Sequence, residues 1–205
     1  MKSKMSPPDT LPAVQTRSKA TRDALIRAGR KLCESKDFDE LSVADIAAAA
    51  GCSTGSFYTR VSDKDGFFRA LVSDVVERDR IHLDHEPETP NQTVDQILAE
   101  AIGAIVSGYR KRRGLIRTAL RRSMLDPSFW EPYRKRAEER TNRLVKRLKL
   151  TKSNDKQFEF RIRFACQMLY GTLNNALLIA PGPIMLDDTS LESELLRVFR
   201  RSIFE

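Results

Sequence analysis

The sequence is short of everything that would staple a chain or embed it in a membrane. Only three of its 205 residues are cysteine, Cys33, Cys52 and Cys166, far apart and without a Cys-x-x-Cys pair. An odd number at such spacing argues against a disulfide framework and for reduced thiols. No apolar run approaches the roughly 18 residues of a membrane span. The longest candidate, residues 176–186, is broken by Pro181-Gly182-Pro183, so no membrane partner is expected. The opening MKSKMSPPDTLP has charge and proline but no apolar stretch; no secretory signal is expected there, and a cytoplasmic location is. A glycine-rich phosphate loop and a Gly-x-Ser-x-Gly elbow are both missing, which argues against an enzyme. His82 and His85, the only histidines, form His-x-x-His beside Asp84 and Glu86. With no third ligand at fixed spacing they read as surface residues, so neither a metal nor a cofactor is expected. Sustained period-two alternation is absent as well, which leaves no sheet.

Helical periodicity is what the chain does have. Hydrophobic residues make up 40% and charged residues 31%, the composition of a folded, mainly helical protein. Residues 1–15 read as a disordered leader rich in Lys, Ser and Pro. From about Thr16 a first helix carries Leu25, Ala28, Leu32 and Cys33 at helical spacing. Ser42-x-x-Asp45 caps a second, short helix whose stripe is Val43, Ile46, Ala47 and Ala50, ending at Gly51. Cys52 in the turn that follows reads as a small core residue. Ser53 is the N-cap of a third helix to about Val61, and Ser62-x-x-Asp65 opens a long fourth helix to about Arg80. Pro87 and Pro90 mark a break. Further helices are expected over about 93–112, 115–124, 128–148, 155–180 and 191–204, the last entered through Thr189-x-x-Glu192. The architecture is therefore all-α: a small N-terminal helical unit over 16–76 with a connecting helix to about 80, then a larger helical domain over 81–205.

Two short helices joined by a glycine-containing turn form a helix-turn-helix, whose second helix must present small or hydrogen-bonding side chains to base edges. Ser53, Thr54, Ser56, Tyr58 and Thr59 can point outward while Phe57 and Val61 pack on Ile46 and Leu25. Gly55 lets the backbone approach closely. Arg60 and Lys64 can reach flanking phosphates, and the capped starts at Ser42 and Ser62 can offer backbone N–H groups to the same strand. The net charge of +8 fits a polyanionic partner, yet its densest clusters, 110–122 and 134–149, lie elsewhere. Solvated faces, an anionic effector or long-range attraction to DNA would each account for those clusters.

The stretch 41–72, LSVADIAAAAGCSTGSFYTRVSDKDGFFRALV, resembles the DNA-binding domain of the TetR/AcrR family of transcriptional regulators. With the first helix the resemblance covers about residues 16–76. It implies a homodimer that binds a palindromic operator in double-stranded DNA, most often as a repressor, and releases it when a small molecule enters the larger domain. It also implies phosphate contacts for Tyr58 and Lys64 and base contacts for Thr54 and Thr59. Val61 and Thr59-Arg60 depart from the family pattern, which leaves the base preference unreadable. A DNA-organising protein of the same fold without an effector is the alternative. Tyr109, Met124, Phe129, Trp130, Tyr133, Phe164 and Met168 could line an effector pocket or serve as ordinary core. The helix over 155–180 is apolar on more than one face, so one side should meet a symmetry mate. Ile162, Ala165, Leu169 and Leu173, with Leu195, Val198 and Phe199, are the expected dimer contacts.

Overall fold

Side-chain caps fix where several of the helices begin. The computed structural model describes residues 11–85, 91–151 and 156–204, and among these there are helices and no strand. The order is α1 (Leu11–Leu32), α2 (Val43–Ala49), α3 (Thr54–Tyr58), α4 (Lys64–His85), α5 (Val94–Lys111), α6 (Arg113–Ser123), α7 (Glu131–Thr151), α8 (Lys156–Leu178) and α9 (Leu191–Phe204). Single 3-10 turns sit at Phe38–Glu40 and Pro127–Phe129. The expected capping box at Ser42/Asp45 is formed, and a second joins Thr93 and Gln96 at the start of α5. Gly51 follows α2 with φ of 69°, the left-handed conformation that ends a helix at no steric cost to glycine.

Several expectations shift. Residues 11–15, assigned to the leader, belong to α1, because Pro12 in a first helical turn loses no hydrogen bond the helix needs. The cap of α4 is Asp63, whose Oδ1 accepts from the Gly66 N–H at 2.6 Å; the Ser62 box is one residue out of register. The α3 helix ends at Tyr58 instead of near Val61, since the Thr59 hydroxyl donates back to the Ser56 carbonyl at 2.9 Å and competes with the helical pattern. Glu192 does not reach back to cap α9 through Thr189; it accepts from Arg110 Nη1 at 2.7 Å. The side chains of His82 and His85 and residues 1–10 lie outside the described residues.

Two hydrophobic cores form. The N-terminal one gathers Leu25, Phe38, Ile46, Phe57, Phe67, Phe68 and Leu71, and the larger one is built from α5, α7, α8 and α9. The α6 helix serves both, because Leu115 and Ala119 belong to the first and Ile116 to the second. Its entry point is Gly114. That residue's N–H donates to the Cys33 carbonyl at 3.2 Å. A Cβ there would collide with the Lys36 carbonyl oxygen and lie 2.8 Å from that of Cys33. One turn on, the buried Thr118 hydroxyl accepts from the Phe38 N–H at 3.1 Å. Beyond the end of α8, Ala180 adopts φ of 49° just before Pro181, so the prolines end this helix two residues earlier than expected.

Overpacking against backbone should cost about 1–3 kcal/mol. Gly114→Ala should therefore lower the urea midpoint clearly. Gly103→Ala, whose Cβ meets nothing closer than Glu192 Oε2 at 3.5 Å, should hold the midpoint or raise it, with a gain in stability of up to ~1 kcal/mol, as expected for a helix interior.

Candidate nucleic-acid interface and interior cavity

The α3 helix is only five residues long and is held by one buried side chain. Phe57 has no solvent exposure and packs against the Phe67 ring with centroids 5.1 Å apart. Anchoring that face turns the other outward: Ser53, Thr54, Gly55, Tyr58 and Thr59 are all exposed. The Tyr58 ring is 56% exposed and stands edge-on to Phe57. Ser53 caps the helix by accepting from the Ser56 N–H at 3.1 Å, and the two hydroxyls lie within hydrogen-bond distance. Ser56 is thereby half-buried. The surface is small, polar and free of acids, so its side chains and backbone can approach base edges in a groove about one helix wide.

The cations are less free than expected. Lys64 is half-buried, donates to the Asp39 carbonyl at 3.1 Å and lies 5.3 Å from the Phe38 ring centroid. Arg60 donates to the Thr59 hydroxyl. Ser42 is committed to its capping box, donating to Asp45 while accepting from its N–H. Those hydrogen bonds from Ser42 hold the exposed Asp45 carboxyl below the usual carboxylate range, so a charged group stands beside Ser42 and opposes a phosphate there.

Several arginines of the basic clusters are internal ties. Arg117 and Arg121 both donate to the buried Asp37 at 2.9 Å. Arg122 pairs with Asp39 and Asp65 and lies over the Phe68 ring. Arg113 holds Asp187 with two bonds, and Arg147 holds Glu100.

Of the expected pocket residues, Tyr109, Trp130 and Tyr133 line one cavity of about 380 Å³. Met124 is 84% exposed at the end of α6, and Phe129 packs on Phe68 and Arg69. Phe164 is half exposed and stacks on Phe160, and Met168 packs against the larger core. Periodicity could not separate these, because aromatic spacing marks a face and not which neighbour fills it. The expected dimer contacts are corrected too. Ile162, Ala165, Leu169, Leu173 and Phe199 are at most 4% exposed, inside the domain's own core, and Leu195 is only half-buried against it. The outward stripe of α8 is instead Phe160, Phe164, Gly171 and Leu178, with Val198 on α9.

The cavity also holds polar groups that no local sequence signal marks. Asp79 of α4 is gripped by Arg140 through two bonds of 2.7 and 3.2 Å, by Arg136 Nε at 2.7 Å and by Arg112 at 3.3 Å. Burial works to raise the Asp79 carboxyl, but the three guanidiniums outweigh it and hold it below the usual range. These partners are 33 to 61 residues from Asp79. Tyr109 donates to Asn174 Oδ1 at 2.7 Å, whereas the enclosed hydroxyls of Tyr133 and Tyr170 have no partner among the described residues. Burial pushes all three phenols well above their usual range. Cys33 is pushed up to about 12, chiefly by burial, and all three cysteines are free. Cys52, half-buried against the N-terminal core, is a packing residue. No group of His, Cys, Asp and Glu among the described residues could hold a metal, and no described helix is long and apolar enough to cross a membrane.

Residues 25–71 match the family model described as bacterial regulatory proteins, tetR family. The chain is 30% identical over 83 residues to the uncharacterized HTH-type transcriptional regulator YwcC of Bacillus subtilis, covering 40% of this chain and 37% of that protein. It is 27% identical over 93 residues to the HTH-type transcriptional repressor ComR of Escherichia coli, covering 44% of this chain and 43% of that one. The chain thus matches less than half the length of either relative. Among solved structures it superimposes on RolR in complex with resorcinol with a TM-score of 0.59, 18% identity and coverage of 93% and 90% of the two chains.

Ser53→Ala should cost roughly 0.5–2 kcal/mol by uncapping α3, and Ser53→Asp should restore most of it. Thermal denaturation of the three proteins measures both. Equal midpoints would mean that Phe57 alone holds this helix.

Proposed function

We propose that the chain, whose residues 25–71 match the tetR family model, is a TetR-family ligand-responsive repressor that binds a palindromic operator as a homodimer in the cytoplasm. The observation that carries this reading is the outward face of α3, small and polar on a helix pinned from behind by Phe57. Tyr58 and Lys64 take backbone phosphates, Lys64 by leaving the Asp39 carbonyl. Thr54, through its hydroxyl, and Thr59, through its methyl, face bases. The repressor sign is supported by ComR, which is named a repressor. Control by a small molecule is supported by the cavity at Tyr109, Trp130 and Tyr133 and by the resorcinol that RolR holds.

Dimerisation is supported by the stripe Phe160, Phe164, Leu178 and Val198, since a two-fold contact uses one self-complementary patch twice. Two recognition helices would then enter major grooves roughly 34–36 Å apart. Selection from a random duplex pool should return an inverted repeat, and recovery of no preferred sequence would refute the reading.

On that selected duplex, Lys64→Ala should weaken binding and reduce the slope of log affinity against log salt by ~1. Tyr58→Phe should weaken binding to selected and random duplexes by a similar factor, because phosphate contacts carry no sequence information directly. An unchanged salt slope would leave Lys64 as a brace for Asp39. For assembly, the wild type should sediment as a dimer at micromolar concentration and Phe164→Glu as a folded monomer. A Phe164→Glu dimer would move the interface off this face.

A further inference from the structure

The cavity is rich in donors and poor in acceptors. Three guanidiniums, those of Arg112, Arg136 and Arg140, converge on the single carboxylate of Asp79. Glu139 offsets Arg136 at 2.9 Å, but its side chain is 51% exposed, so water screens it. The side chains of Arg136, Asp79 and Arg140 are 7%, 12% and 14% exposed, where like charges are screened least. Tyr133 and Tyr170 line the same cavity, and their buried hydroxyls have no partner among the described residues. A buried donor left unpaired is costly, and a phenol kept protonated has its proton to offer. The wall beside them is flat and aromatic, Trp130 stacked on Tyr133 with centroids 5.1 Å apart.

We propose that this cavity binds a small aromatic carboxylate, which takes the guanidiniums of Arg136 and Arg140 and the hydroxyls of Tyr133 and Tyr170 by displacing Asp79. The proposal rests on the reading of the chain as a ligand-responsive regulator and assigns its ligand class and trigger. Asp79 is the trigger because it sits on α4, fifteen residues beyond Lys64 in the same helix. While its carboxylate is the anion in the cavity, α4 is clamped to α7. A competing anion removes that clamp and leaves α4 free to move the DNA-binding end. Ligand and clamp compete for Arg136 and Arg140, so the two states differ in contacts, as a population shift requires. A neutral aromatic of the same shape fills the volume but cannot replace the charge.

Trp130 is the only tryptophan of the chain and lines this cavity, so its fluorescence responds to occupancy there. The protein is titrated with benzoate and with benzamide, and the titrations are repeated for Asp79→Asn and Arg140→Gln. Benzoate should quench saturably and bind at least about tenfold more tightly than benzamide, a difference the wild type reveals without any substitution. Asp79→Asn should strengthen benzoate binding by a similar factor and leave benzamide unchanged, and Arg140→Gln should weaken benzoate. Saturating benzoate should then lower wild-type affinity for the selected operator by roughly 5–150-fold. Equal affinities for benzoate and benzamide, no saturable benzoate response, or no gain in a folded Asp79→Asn protein would each overturn the proposal. Operator binding that is tight but indifferent to bound benzoate would remove the trigger while leaving the DNA-binding reading intact. Failure to bind any selected duplex would instead remove that reading.

Discussion

The seating of α6 against the N-terminal unit is the constraint on which the molecule depends. At Gly114 the backbone of α6 comes so close to the Cys33 and Lys36 carbonyls that no side chain fits. Thr118 then satisfies the Phe38 N–H, and Arg117 and Arg121 neutralise Asp37, which is 4% exposed. Each of these groups would be costly if buried alone, because an unpaired polar group or charge loses its hydration without replacement. Together they fix the segment between α1 and α2 on one side and present Leu115 and Ala119 to the N-terminal core on the other. The orientation of the recognition unit is thus set by a backbone contact and its polar surroundings.

The excess of arginine follows from this arrangement. A net charge of +8 on its own suggests cations displayed to a polyanion. Here most of the 110–122 cluster is spent on carboxylates and carbonyls of other elements: Arg110 on Glu192 and Leu186, Arg113 on Asp187, Arg122 on Asp39 and Asp65. Arginine suits these ties because its planar fork makes several bonds at once, and a carboxylate accepts two in parallel. What remains near α3 is a modest set of cations, so the long-range field and the local recognition surface are separate features of the molecule.

One helix links the surface at α3 to the interior cavity. With a rise of about 1.5 Å per residue, the segment of α4 from Lys64 to Asp79 is a rigid lever of about 22 Å. Its start is tied to Asp39 and its far part to α7 through Asp79. Between them Phe67, Phe68, Leu71, Val72 and Val75 lie in the N-terminal core, so movement of one end is carried by a packed element. Both ends rest on polar contacts that can be exchanged for others, whereas the middle rests on apolar packing that cannot.

Local chemistry determined what the sequence alone could settle. Ser42, Ser53 and Thr93 start their helices because a hydroxyl one turn from an unpaired N–H satisfies it wherever the helix lies. Phe57 faces inward and Thr54 and Tyr58 outward because the 3.6-residue period admits one arrangement for a single apolar anchor. The all-α architecture and the helix-turn-helix follow from signals of this kind. The tertiary structure decided the rest. The α8 helix is apolar around most of its circumference, so its sequence carries no phase, and packing chose Ile162, Leu169 and Leu173 for the interior while leaving Phe160 and Phe164 outside. Asp79 is one acid among many along the chain, and nothing local marks it. It becomes the centre of the cavity only when α4, α7 and the α5–α6 junction meet, since the field at a buried charge is made by neighbours in space and not along the chain.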